Sequence, residues 1–368
     1  MSAAAPIAET KPRRRINWRR LLEGAAAIVV VGAAAQLLGW NLREWFSNFW
    51  DTLSSISAAY IAAGCALKTV QTTATAFAWY SILQYAYPGK IRWLDAWACY
   101  AASVALNGIL PANLGTLALL IMFTAIIAGA TFAAILGAYA VEKIFFTLIG
   151  AFVYLYLFLS VSGSFDIKFS FVHEHPWATA VFLLSGLYLI YLVGLRIWPK
   201  VVVWWNDAKD GGAILGEPRK YLVRVFTPSL IGWIASLGVM AVFLTAYDIP
   251  VSFDTLMRIA GGNSIANVTS ATPGGAGVNQ AFNVASLKGI ASSADATAYS
   301  VAQQLVTTAW NIIFGIALMT WAFGWSGGKQ LVGESYAGAK EKAAEQKAAH
   351  EARKEAKRAA KASEQGEA

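Results

Sequence analysis

The sequence predicts an all-α polytopic membrane protein, an inverted-topology repeat built around two broken, re-entrant hairpins. Three observations carry this. The 368-residue chain is 57% hydrophobic and only 14% charged, where soluble domains are roughly a quarter charged. Fifteen of its 29 Lys and Arg lie before residue 21 or after residue 328, the layout of basic termini flanking apolar helices. Two apolar stretches, 93–127 and 255–290, are interrupted by glycine, proline and asparagine.

The second interruption is the denser. Residues 260–287 read AGGNSIANVTSATPGGAGVNQAFNVASL, with Pro273, five glycines before Val278, and asparagines at 263, 267, 279 and 283. Proline and clustered glycine break a helix, and amides in hydrocarbon are costly unless paired. Non-helical backbone at membrane depth is tolerated only where protein buries it or where it lines a cavity. The alternative is an ordinary water-exposed loop. The first interruption is NGILPANLG at 107–115, with Asn107, Pro111, Asn113 and Gly115.

Other chemistries have little to stand on. Cys65 and Cys99 sit singly in apolar segments and offer no disulfide framework. His173 and His175 flank Glu174 in a short loop, fewer ligands than a catalytic zinc site needs, so no metal and no cofactor is expected. No GxSxG, Walker A, HExxH or dinucleotide fingerprint appears, which argues against an enzyme. The net charge of +8 follows from the termini and does not imply nucleic acid.

In chain order, a basic head (1–20) precedes an apolar run at 21–40, read as a retained first span because it lacks a clear small-residue cleavage site. An interfacial stretch at 41–56 follows, then a threonine-rich span at 59–87 whose hydroxyls are expected to bond along the helix or across to a neighbour. Lys68 in that span is expected to snorkel to the outer interface. Further spans are predicted at 131–162, 177–198, 221–247 and 296–325. The transmembrane domain therefore runs over 21–325, and 326–368 is a charged Ala/Glu/Lys-rich tail. That tail reads either as a solvated helix or as one lying on anionic inner-leaflet lipids.

Charge sets the topology. If both broken stretches return to the side they enter, the head, Lys90, Arg92, the linker at 199–220 and the tail all share the cytoplasmic side. If 93–127 crossed once, the basic linker would fall outside. Two short spans per broken stretch would give the same sidedness. The halves 59–162 and 221–325 then repeat span, hairpin, span in opposite orientations. Both hairpins carry Pro-x-x-x-Gly, at 111–115 and 273–277. Glycine/proline-interrupted segments in matched halves point to a transporter's central site.

Pro273-Gly-Gly-Ala-Gly-Val-Asn-Gln-Ala281, preceded by Asn107-Gly-Ile-Leu-Pro-Ala-Asn-Leu-Gly115 and by Val141-Glu142-Lys143, resembles the lysylphosphatidylglycerol synthase transmembrane-domain family of flippase-like membrane proteins. The resemblance covers about 20–325 and implies translocation of a lipid between leaflets. Two departures stand out. Asn279 and Gln280 replace the family's usual basic-then-acidic pair, and Asn113 and Thr116 stand where relatives carry charge. The transferase domain fused in some relatives has no counterpart in the 43-residue tail, so lysyl-lipid synthesis is not expected.

The expected function is flipping of an anionic or head-group-modified lipid across a bacterial inner membrane, with both termini cytoplasmic. An ion-coupled carrier of a small solute, or a non-transporting scaffold for envelope biogenesis, is the alternative, and a homo-oligomer is left open. Candidate substrate-binding residues are Asn107, Pro111, Asn113, Gly115, Asn263, Asn267, Pro273, Gly274, Gly275, Gly277, Asn279 and Gln280. The asparagines serve equally as caps of the broken half-helices. Glu142 and Lys143 are candidates for gating or coupling, or for an ion pair that fixes packing. Arg258 and Lys288 are candidates for head-group attraction, or for snorkelling.

Overall fold

The computed structural model describes residues 56–110, 114–160, 209–269, 272, 275 and 277–366, with backbone alone for 267–269 and 343–366. The expected spans at 21–40 and 177–198, the interfacial stretch and the histidine loop lie outside these residues. What is described is helical, with no sheet. The helices are α1 (Ala58–Ala86), α2 (Trp93–Ile109), α3 (Leu114–Ile126), α4 (Phe132–Ser160), α5 (Pro218–Ala246), α6 (Phe253–Thr269), α7 (Val278–Ser286) and α8 (Ser293–Gly366), the last made of two helices that meet at a kink at Gly324.

Among the described residues, three helices are long and apolar enough to cross a membrane: α4, α5 and the Ser293–Lys342 part of α8. The protein is thus a multi-pass all-α membrane protein. At 29 residues α1 matches α4 and α5 in length, roughly 43 Å at 1.5 Å per residue, but its threonines and Lys68 make it less apolar. Both broken stretches are confirmed as breaks. In the first, α2 and α3 flank residues 110–113; in the second, α6 and α7 flank 270–277. None of these four helices exceeds 17 residues, about 25 Å, short of the roughly 30 Å hydrocarbon core.

Helix α1 packs antiparallel on α5 through small residues. A Cβ at Gly64 would come within 2.7 Å of the Phe243 ring, one at Gly238 within 3.2 Å of Leu67, and one at Gly232 within 2.9 Å of the Thr75 hydroxyl. Such positions let helix backbones approach where lipid offers no hydrophobic drive. Thr69 does both things expected of the span's hydroxyls: it donates to the Cys65 carbonyl at 2.9 Å and accepts from Trp310 Nε1 of α8 at 2.9 Å. Helix α5 carries one wide turn at Leu222–Phe226, where the Thr227 N–H reaches back to the Leu222 carbonyl. It sits just before Pro228, whose ring would otherwise meet the Arg224 carbonyl.

Two apolar cores hold the ends. One gathers Trp79, Leu83, Cys99, Phe123, Ile135, Val141 and Val225. At the same end, Lys220 and then Tyr85 donate to Glu217, which holds that carboxyl below its usual range. The other core gathers Phe243, Leu244, Ile249, Leu287 and Tyr299. A smaller cluster of Val153, Leu157, Met257 and Ala260 joins α4 to α6. Large apolar side chains on the outside of α4 and α5 (Leu148, Leu155, Leu159, Val223, Ile234) are exposed, as lipid-facing surface requires.

Candidate functional site

A polar cavity of about 450 Å³ lies between α1, α4, α5, α6, α7 and α8. On α1 and α5 it is lined by Lys68, Gln71, Trp233 and Ser236, which fall between the residues of the two apolar cores, and by Val239 and Met240 at the edge of the second core. Its floor and far wall are amides and hydroxyls: Asn263 and Ser264 from α6, Asn279 and Asn283 from α7, and Ser300, Gln303, Gln304 and Thr307 from α8. The apolar side is Phe146, Ile149 and Val153 of α4.

The second broken stretch positions two of these walls. At its end Gly275 (φ 72°) and Gly277 (φ 82°) are left-handed, a region glycine enters without steric cost. Gly275 is buried against the Asn279 side chain, which leaves no room for a Cβ. The Gly277 N–H donates to Gln280 Oε1 at 2.6 Å, so Gln280 satisfies one of the orphan donors that open α7. Gln280 also donates through Nε2 to Gln304, and Asn283 Nδ2 donates to Ser300 Oγ at 2.7 Å. Both bonds tie α7 to α8. Gly262 packs against Ser286, closing α6 on α7.

The first broken stretch stands beside the cavity. Asn107 Nδ2 donates to Thr116 Oγ1 at 3.0 Å and its Oδ1 accepts from the Thr116 N–H at 3.2 Å, so both ends of this amide serve the opening of α3. Gly115 marks the closest crossing: a Cβ there would lie 2.5 Å from the Ser103 carbonyl and 2.6 Å from the Asn107 nitrogen. One residue beyond Asn107, Gly108 abuts Thr308 of α8, a residue that lines the cavity. The two broken stretches therefore touch the same turns of α8, at 304–308. Pro111, Asn113, Pro273 and Gly274 lie outside the described residues, and Asn267 is described as helical backbone in α6.

The charged candidates are dispersed. Glu142 is buried and lies 3.1 Å from Lys143 Nζ, whose side chain is itself partly exposed and sits over the Tyr139 and Phe146 rings at 4.9 and 4.8 Å. The pair sits one turn before Phe146, below the cavity rather than in its wall. Arg258 is half-buried in α6 with Nε out of solvent, and Lys288 is exposed past the end of α7. Neither lines the cavity.

Lys68 corrects the sequence reading. Its ammonium does not snorkel to the near end of α1 but donates to Gln71 Oε1 at 2.9 Å, one turn further inward, and lines the cavity. The geometry that overrides snorkelling is the polar pocket itself, which solvates the ammonium locally. Gln71, Asn283, Ser300, Gln303, Gln304 and Thr307 were also missed as site residues. Their signal was available: paired glutamines and an interior lysine inside spans are expensive in hydrocarbon and mark a cavity.

Among the described residues no group of histidine, cysteine or acidic side chains is placed to hold a metal ion. The arrangement can bind a polar group; among the described residues that line it none is a nucleophile paired with a base. No curated protein and no solved structure matches the chain. A family match does extend over residues 21–315, and on that extent the chain belongs to the lysylphosphatidylglycerol synthase TM region family.

Proposed function

We propose that this protein translocates lipids by passing the head group through the cavity between α1, α5, α6, α7 and α8 while the acyl chains stay in hydrocarbon. Membership of the family supports a lipid-translocation role. The observation that carries the path is the cavity: amides and hydroxyls gathered between two apolar cores, inside a bundle whose outer helix faces are apolar. A head group there exchanges water for fixed polar partners, which removes most of the desolvation cost that otherwise keeps lipids in one leaflet.

In this reading α1–α4 and α5–α8 are the two halves of an inverted repeat, and the two broken stretches are re-entrant from opposite faces. Three facts support it. Helices α1 and α5 are antiparallel. The loops before and after the first pair pack at one end, where the side chain of Lys90 lies 3.5 Å from where a Cβ would project at Gly129. Those before and after the second pair, with Ile249 and Leu287, pack in the core at the other end. Asn263 and Asn279 then handle the head group, Gln280 holds the opening of α7 against α8, and Asn107 and Gly115 brace the hairpin that abuts it. The first end is cytoplasmic, in a bacterial inner membrane, with both chain termini on that side.

Purified protein in vesicles of a single lipid, carrying traces of acyl-labelled lipid, provides the test. A membrane-impermeant quencher should bleach the label from both leaflets with protein and from one leaflet without it. Bleaching that stays at one leaflet for every head group would refute the proposal. Labelling of single introduced cysteines at 89 and 289 from opposite sides of sealed vesicles tests the topology separately.

A further inference from the structure

We infer that the cavity selects a phosphodiester lipid with a polyhydroxyl head, anchored by Lys68, over lipids whose head bears an amine. The inference rests on the lipid path proposed above. Lys68 is the one ionisable residue among the described residues that line the cavity. Its ammonium has three donors, of which one goes to Gln71 Oε1. None of the ion pairs among the described residues includes it. A half-buried ammonium inside a span, without a carboxylate partner, is retained where an anion completes it. A phosphodiester is the singly charged group that a lipid head brings to such a depth, and its two free oxygens match the two remaining donors.

The part of the wall supplied by α7 and α8 asks for donors. Asn283 is 5% exposed; its Nδ2 is spent on Ser300 while Oδ1 has no donor. Gln303 Oε1 is likewise buried without one. Carbonyl oxygens in this position are completed by hydroxyls, such as those of a glycerol, cyclitol or sugar head. An amine would also donate, but it would bring a second positive charge beside Lys68 into a pocket with no carboxylate in its described wall. Like charges sharing one partly desolvated pocket repel. The pocket therefore accepts one negative charge with neutral hydroxyls and disfavours an aminoacylated or aminoalkyl head.

The test uses the full chain in vesicles with three acyl-labelled phospholipids that differ only in the head: glycerol, ethanolamine and aminoacyl-glycerol. The expected result is movement of the glycerol-headed lipid at least about tenfold faster than either amine-bearing lipid, a difference of about 1.4 kcal/mol in barrier. Lys68→Met should slow the glycerol-headed lipid by about tenfold, with Lys68→Arg within about threefold of wild type. The head-group ratio is measured on the wild-type chain, so it stands even if Lys68→Met does not fold. Equal rates for all three heads, or a folded Lys68→Met that matches wild type, would overturn the inference while leaving lipid movement intact. Absence of movement for every head would instead overturn the translocation reading, and this inference with it. The soluble arm is glycerophosphoglycerol, the deacylated phosphodiester head: its uptake into the vesicles without lipid movement would assign the same chemistry to a free solute and overturn the lipid assignment.

Discussion

Asn107 and Thr116 hold each other twice across the first break, with Nδ2 donating to the hydroxyl and Oδ1 accepting from the backbone N–H. Thr116 is the third residue of α3, so Asn107 does the work of an N-cap from the end of the preceding helix. Asn107→Ala loses both bonds and leaves an N–H unpaired, for an expected cost of about 1–2 kcal/mol. Thr116→Ala keeps the backbone bond and should cost about 0.5–1 kcal/mol. Thermal unfolding in detergent ranks the two; equal midpoints for both variants and wild type would remove the cap.

Gly115 tests the crossing of α2 and α3 from the packing side. The atoms a Cβ would meet there are the Ser103 carbonyl and the Asn107 backbone, neither of which yields as a flexible side-chain tip would. Gly115→Ala should therefore destabilise by about 1–3 kcal/mol through backbone displacement. Gly216, with nothing near its Cβ direction and no positive φ, is the matched control, for which alanine should be nearly neutral or slightly stabilising. A Gly115→Ala midpoint equal to the control's would contradict the close approach.

How much of this was readable in the sequence divides along a physical line. Both breaks were legible because proline and clustered glycine have few roles inside an apolar run: α2/α3 part around position 111 and α6/α7 around 273–277, whereas Gly261, Gly262 and all four asparagines of the second stretch stand in helix. The left-handed Gly275 and Gly277 follow from the same chemistry. The cavity's other wall was legible only in part: an interior lysine and glutamine flag a polar site without fixing its place. Lys68 and Gln71 sit on a helix without a clear apolar face, so periodicity does not say which way they point. Their direction is set by how α1 seats on α5, through Gly64, Gly232 and Gly238, and that register is a tertiary fact. The spent amide of Asn107 was hidden for the same reason: a cap and a ligand look identical until the partner is placed.

Gly150 separates transport from folding. It lies in α4 on the cavity wall, and nothing stands within 4 Å of where its Cβ would project. Gly150→Leu gains about 0.8–1 kcal/mol of helix propensity while its side chain occupies space a head group would use. The expected outcome is an unchanged or raised thermal midpoint with lipid movement reduced by about tenfold or more. Full transport in a folded Gly150→Leu protein would place the route elsewhere.

Gly324 ends the last apolar span with φ 73° and ψ 168°, close to where hydropathy stops. Beyond it the expected charged tail begins, yet its first turns are packed on the bundle. Ser335 is 1% and Ala339 0% exposed, a Cβ at Gly338 would touch Ile121 of α3, and Lys342 Nζ lies 3.2 Å above the centre of the Phe132 ring. Alanine, glycine and serine gave no hydrophobic signal here because close approach, not apolar bulk, is what they provide. Removing residues 343–368 should leave the thermal midpoint in detergent within about 2 °C of wild type, since those contacts survive it. Removing residues 325–368 should lower it by about 4 °C or more, in proportion to roughly 1–3 kcal/mol of lost packing. Ala339→Leu offers the same test with the chain intact: it overpacks the contact and should cost about 1–3 kcal/mol. A full-length Ala339→Leu protein with wild-type stability would show that these turns do not rest on α3.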